Sequence, residues 1–213
     1  MQQTKRYTLA LLALLGWFAV IAQFCLMMVN SQLPAGETII RFFSFFTVQS
    51  NILTAAGCTA LLLKPGGFFS RASVQAALLL YILIVALVYN VILRFLWAPQ
   101  GMQWLVDELL HAAVPLLYLA YWLIFAPKRE LAWKQAPSWL LYPLAYMVFV
   151  IIRGAFSGFY PYPFIDVVQL DYPKALQNAA LILVLFLFTG ALIMAVGKAL
   201  GKRPLLKSSP VKL

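Results

Sequence analysis

The chain has 213 residues, of which 64% are hydrophobic and 10% charged, with sixteen Lys and Arg against six Asp and Glu. Soluble domains carry about 25% charged residues, so this composition excludes one and points to an integral, multi-pass membrane protein. The formal charge of +10 comes without a basic helix or an aromatic-basic platform; membrane orientation explains it, and no nucleic-acid partner is expected.

Apolar runs of about 20 residues predict transmembrane helices. The first, Thr8–Val29, follows the basic start "MQQTKRY" like a signal peptide, but the run is too long and lacks a small-residue cleavage site. It reads as an uncleaved transmembrane helix. The second, Phe42–Leu63, carries Ser44, Thr47, Gln49, Ser50 and Asn51. The third, Val74–Trp97, ends with Asn90 and Arg94, and the fourth, Trp104–Phe125, contains "DELLHAAVP" with the chain's one histidine, His111. The fifth, Trp139–Gly158, carries Arg153, and the sixth, Lys174–Leu200, opens with Gln177 and Asn178. Between these runs lie segments broken by Pro, Gly or charge, and no internal repeat is visible. The expected fold is all-α: one six-helix transmembrane bundle over residues 1–200, then a basic tail, 201–213.

An even helix count puts both termini on one side. That side collects Lys5, Arg6, Lys64, Arg71, Lys128, Arg129, Lys134, Lys198, Lys202, Arg203, Lys207 and Lys212, against Arg41, Arg94, Arg153 and Lys174 opposite. The bias predicts cytoplasmic termini, in the plasma or inner membrane of a bacterium or an endomembrane of a eukaryote. The polar residues of helices two to six then fall in the outer half, and the inner halves read as Leu, Val, Ala, Ile and Phe. Buried ionisable groups in a membrane face the bundle or a cavity, so an outward-facing pocket is expected. The two cysteines are too few for a disulfide framework or a zinc site; Cys25 and Cys58 lie at different depths and read as core residues.

Asp107 and His111 stand at i, i+4 and Glu108 and His111 at i, i+3, so either carboxylate can orient the imidazole. On the second helix Ser44, Thr47, Ser50 and Asn51 share a face. A hydroxyl there, activated by His111, would be a nucleophile, with Asn51, Asn90 or Arg153 stabilising an oxyanion. Glu-x-x-His is also half of a dimetal motif, but a second histidine is lacking, so no metal and no cofactor is expected. The remaining alternative is a histidine that is merely hydrogen-bonded in the core, with the carboxylates complementing the helix N-terminus.

Three segments resemble the androgen-induced gene (FAR-like) family of multi-pass membrane proteins. They are "YMVFVIIRGAFSGFYPYPFID", carried by Tyr146, Gly158, Tyr162, Pro163, Phe164 and Asp166; "WLVDELLHAAVP", carried by Trp104, Leu105, His111 and Pro115; and "RFFSFFTVQSNILTA". The chain departs from the animal members next to Arg153, where it has Gly154 and Ala155 in place of histidines. The resemblance implies a membrane-embedded hydrolase of fatty-acid-ester lipids. His111 would be its histidine and Thr47 its nucleophile, with Ser44 as the alternative. Asn51, Asn90, Arg94, Arg153 and Tyr162 are the expected substrate-binding residues. A non-catalytic receptor or transporter binding a lipid or small molecule in the same pocket is the rival reading. The loop "GFYPYPFIDVVQLDYP" reads equally as an aromatic belt or as a lid. The sequence leaves the oligomeric state open.

Overall fold

Long apolar runs fold as helices because a helix satisfies every backbone polar group within its own segment. In the computed structural model, which describes residues 1–202, eight α-helices follow one another, with no strand among the described residues. They are α1 (Gln2–Asn30), α2 (Ala35–Ser44), α3 (Phe46–Leu63), α4 (Ala72–Val91), α5 (Gly101–Glu108), α6 (Val114–Phe125), α7 (Leu141–Ser157) and α8 (Val167–Gly201). Six stretches are long and apolar enough to cross a membrane: Gln2–Asn30, Phe46–Leu63, Ala72–Phe95, Gly101–Phe125, Trp133–Ser157 and Val167–Gly201. That architecture fits a multi-pass membrane protein. Most of the predicted basic tail, from Arg203 on, lies outside the described residues.

Helix α4 runs through the centre. Leu79, Leu80, Ile82, Ile84 and Val85 are all buried there, against α3, α6 and α8. Small residues bring α1 close to α3: a Cβ on Gly16 would stand 2.9 Å from the Ala55 Cβ, and Trp17 Nε1 donates to Thr59 Oγ1 at 3.1 Å. Close approach through Gly and Ala is how helices associate where lipid removes the hydrophobic drive. On the outside, α7 exposes Leu144, Val148, Ile152 and Phe156, and α8 exposes Leu181, Val184, Leu187 and Phe188. In hydrocarbon such surfaces cost nothing.

Four sequence expectations are corrected. The second predicted helix is two: Phe45 is extended (φ −80°, ψ 127°), so α2 ends at Ser44 and α3 begins at Phe46. The third helix gives way after Val91 to a 3-10 turn, Leu93–Phe95, which holds Arg94. The sixth begins at Val167 and breaks at Asp171 (φ 66°, ψ 165°), whose Oδ1 accepts the Lys174 amide at 2.9 Å and restarts the helix beside Pro173. Cys25 is exposed, and only Cys58 is a core residue. The end of the bundle near Gln75, read from the sequence as mostly apolar, is also more polar than expected. Buried Gln75 accepts from Tyr121 Oη at 3.1 Å through Oε1 and donates to Ser70 O at 3.3 Å.

Candidate functional site

The site begins with a proline. Pro115 has no N–H to return to the preceding turn, and the helix there widens into a π turn, Leu109–Ala113, between α5 and α6. The Val114 amide reaches back five residues to Leu109 O, so Leu110 and His111 carbonyls need other donors. Asn51 Nδ2, on α3, donates to Leu110 O at 3.2 Å; Asn90 Nδ2, on α4, donates to His111 O at 3.1 Å. Two neighbouring helices thus hold open the turn that presents the histidine. Single π turns recur at functional sites because they re-aim one side chain.

The His111 ring is fixed on three sides. Its Nδ1 lies 2.9 Å from the Asp107 carbonyl oxygen and 3.3 Å from Asp107 Oδ1. Both partners are acceptors, which assigns the proton to Nδ1 and leaves Nε2 as the lone-pair nitrogen. The Tyr89 ring stacks on the imidazole, centroids 3.8 Å apart and 16° from parallel, while its hydroxyl donates to Asp107 Oδ2. Asp107 is buried and its charge is met by both groups. Of the two carboxylates, Asp107 is the one in contact with the imidazole, and Glu108 pairs instead with Arg94 Nη2 at 2.6 Å. Tyr89 was not foreseen, because it sits inside an apolar run.

Thr47 occupies the first turn of α3, directly after the break at Phe45. Its amide donates to Tyr162 Oη at 3.2 Å, and its Oγ1 lies 3.4 Å from the same oxygen. Tyr146 Oη donates to Ser44 O at 2.8 Å. Each tyrosine meets a backbone group at the interruption. Tyr162 lies in the loop after α7, where burial raises its phenol pKa and keeps the hydroxyl protonated. Ser44 does not share the face of Thr47. It closes α2, fully buried, with Oγ donating to Ile40 O at 2.7 Å.

Thr47, Asp107, His111, Tyr89 and Tyr162 line one cavity of about 370 Å³. Gln23 and Gln103, hydrogen-bonded to each other at 2.8 Å, line it as well. Pro161 and Pro163 join Tyr162 in its wall, so the loop after α7 covers the cavity. Asn51 and Asn90 do not line it, their amides being engaged in the π turn. Arg94 and Arg153 do not line it either. No group of three His, Cys, Asp or Glu side chains able to hold a metal occurs among the described residues.

Arg153 fastens the covering loop. It donates to Glu37 Oε1 at 3.1 Å, Arg41 donates to the same oxygen at 2.6 Å, and both guanidiniums lie over the Phe159 ring, at 4.9 and 4.3 Å. Phe159 meets Phe45 edge-on, and Phe45 meets Tyr162 the same way. Gly154 lets the loop fold back, since a Cβ there would collide with the Tyr160 ring. The Arg41 hydrogen bond, with Arg153 behind it, holds the Glu37 carboxyl below the usual glutamate range. A depressed pKa stabilises the fold above the unfolded value, and that contribution is lost as pH falls through the folded one. Proteolysis within 158–166 should therefore accelerate in acid, once the pH falls below the usual glutamate range, in the native chain. In Glu37→Gln it should already be fast at neutral pH, with little further change in acid.

No protein-family model, curated protein or solved structure matches this chain.

Proposed function

We propose that the protein is an intramembrane hydrolase of lipid esters of the fatty-acid-ester type, with Thr47 as nucleophile and His111 as general base. The observation that carries this reading is that Thr47 and His111, brought from separate helices, line one cavity while Asp107 and Tyr89 leave His111 Nε2 free. The resemblance of the Thr47, His111 and Tyr146–Asp166 segments to the androgen-induced gene family supports it independently.

In this mechanism Nε2 takes the Thr47 hydroxyl proton as Oγ1 attacks the ester carbonyl carbon. The negative charge that develops on the carbonyl oxygen is met by the N-terminal turn of α3 and the Tyr162 hydroxyl. Collapse breaks the acyl–oxygen bond, and His111 returns the proton to the departing alcohol oxygen. Water, deprotonated by His111, then releases the carboxylic acid from the acyl-threonine and restores the hydroxyl. Asp107 stabilises the imidazolium formed in each half-reaction.

Thr47→Ala tests this chemistry on purified protein with ester lipids. Turnover is expected to vanish while ester binding persists. Turnover at the native level would remove Thr47 as nucleophile, and saturable binding without turnover in the native chain would favour the receptor reading.

The termini are cytoplasmic and the cavity opens on the opposite side in this account. Sixteen Lys and Arg divide twelve to four in favour of the end that carries the termini, and that asymmetry supports this orientation. A Gly36→Cys substitution, placed where a side chain meets nothing within 4 Å, should react with an impermeant maleimide added outside intact cells. Reaction only after lysis would invert the topology.

A further inference from the structure

A second, smaller chamber lies against the first. Thr47, Leu93 and Tyr162 line both and form the wall between them. The chamber measures about 60 Å³ and is lined by Phe46, Ile84, Val85, Val88, Met147 and Phe186, among others. Its polar atoms are engaged. The Tyr146 hydroxyl donates to Ser44 O, and the Tyr162 hydroxyl sits on the Thr47 amide and Oγ1. A cavity with apolar walls and no free hydrogen-bonding group does not hold water and takes hydrocarbon instead.

Resting on the ester-hydrolase reading, we infer that this chamber holds the acyl tail of the substrate and selects a short, unbranched one. The direction of the tail follows from the proton transfers. His111 must reach the leaving alcohol oxygen, so the alcohol portion lies on the His111 side, in the larger cavity with Gln23 and Gln103. The acyl carbon, bonded to Thr47 Oγ1 in the intermediate, then directs its chain to the other side of Thr47, where His111 is not part of the wall. A water-sized group needs about 10–15 Å³ of such volume, so the chamber accommodates about four to six methylene-sized groups. Val88 and Ile182, which line the chamber and not the cavity, set its reach.

The test uses p-nitrophenyl esters from acetate to dodecanoate, which keep the leaving group constant. Expected kcat/KM rises about fourfold per added methylene up to hexanoate, the gain from burying each one, and falls beyond. Val88→Phe should cut the hexanoate-to-acetate ratio at least tenfold, and the milder Ile182→Ala should move the optimum to longer chains. A profile that is flat or still rising at dodecanoate overturns the chamber and leaves the hydrolase reading standing, as does a profile unchanged by both variants. If no ester is turned over, the hydrolase reading is what fails. Calorimetric titration with hexanoate and dodecanoate then decides the chamber: saturable hexanoate binding lost in Val88→Phe supports it, and no hexanoate binding overturns it.

Discussion

His111→Ala is expected to lower ester turnover by about 10²–10⁴-fold, the usual contribution of a positioned general base. The size of the effect follows from the isolation of the group. His111 is the one histidine in the chain, and neither carboxylate near it is free to replace it. Glu108 is bound to Arg94, and Asp107 is engaged by Tyr89 and by Nδ1. Two companions separate a chemical role from a structural one. Asp107→Asn should lose much of the same activity, because an amide can donate to Nδ1 and turn the lone pair away from the cavity. Glu108→Gln should stay close to the native rate. Assays of all three at several pH values, with folding checked by thermal melting, read the difference. Equal losses in Asp107→Asn and Glu108→Gln would point to general disruption of the helix.

Asn51→Leu carries the second large effect, and it lies outside the cavity. The substitution leaves Leu110 O without its donor in a low-dielectric interior, at a cost of about 1–3 kcal/mol. Part is offset, because Asn51 Oδ1 is itself buried without a partner and leaves with the side chain. The activity loss should be out of proportion to the stability loss. With the π turn unlatched, the segment can relax and shift the imidazole within the cavity. Turnover is expected to fall about 10²-fold, the scale of a misplacement near 1 Å. Had Asn51 instead been an oxyanion donor, Asn51→Leu would lower kcat with the melting temperature and the His111 environment unchanged. An imidazole NMR resonance separates these outcomes.

The pattern of apolar runs was enough to place the six spans, and helical spacing was enough to put Asp107 beside His111. Tertiary partners decided the rest. The break at Phe45 is invisible in "RFFSFFT" because the apolar pattern continues through it; the groups that meet the freed backbone are Tyr146 and Tyr162, about a hundred residues away. That break separates Ser44 from Thr47 and gives the threonine a helix N-terminus. The π turn did have a local signal, Pro115 four residues after His111. Its support from Asn51 and Asn90 had none, since both amides read equally well as ligands for substrate. Arg94 and Arg153 were expected at the substrate for the same reason, and each found a carboxylate on another helix. Tyr89 was hidden by its apolar neighbours, although a phenol within reach of a buried Asp is the kind of partner such a carboxylate requires.

In the proposed mechanism Thr47 becomes covalently acylated by an ester in the cavity. A fluorophosphonate with an alkyl tail reports on it directly, because it phosphonylates an activated hydroxyl and its mass identifies the residue. A single adduct is expected on the peptide containing Thr47, absent in Thr47→Ala and formed far more slowly in His111→Ala. An adduct that persists in Thr47→Ala, or the absence of any adduct from a chain that hydrolyses esters, would contradict it.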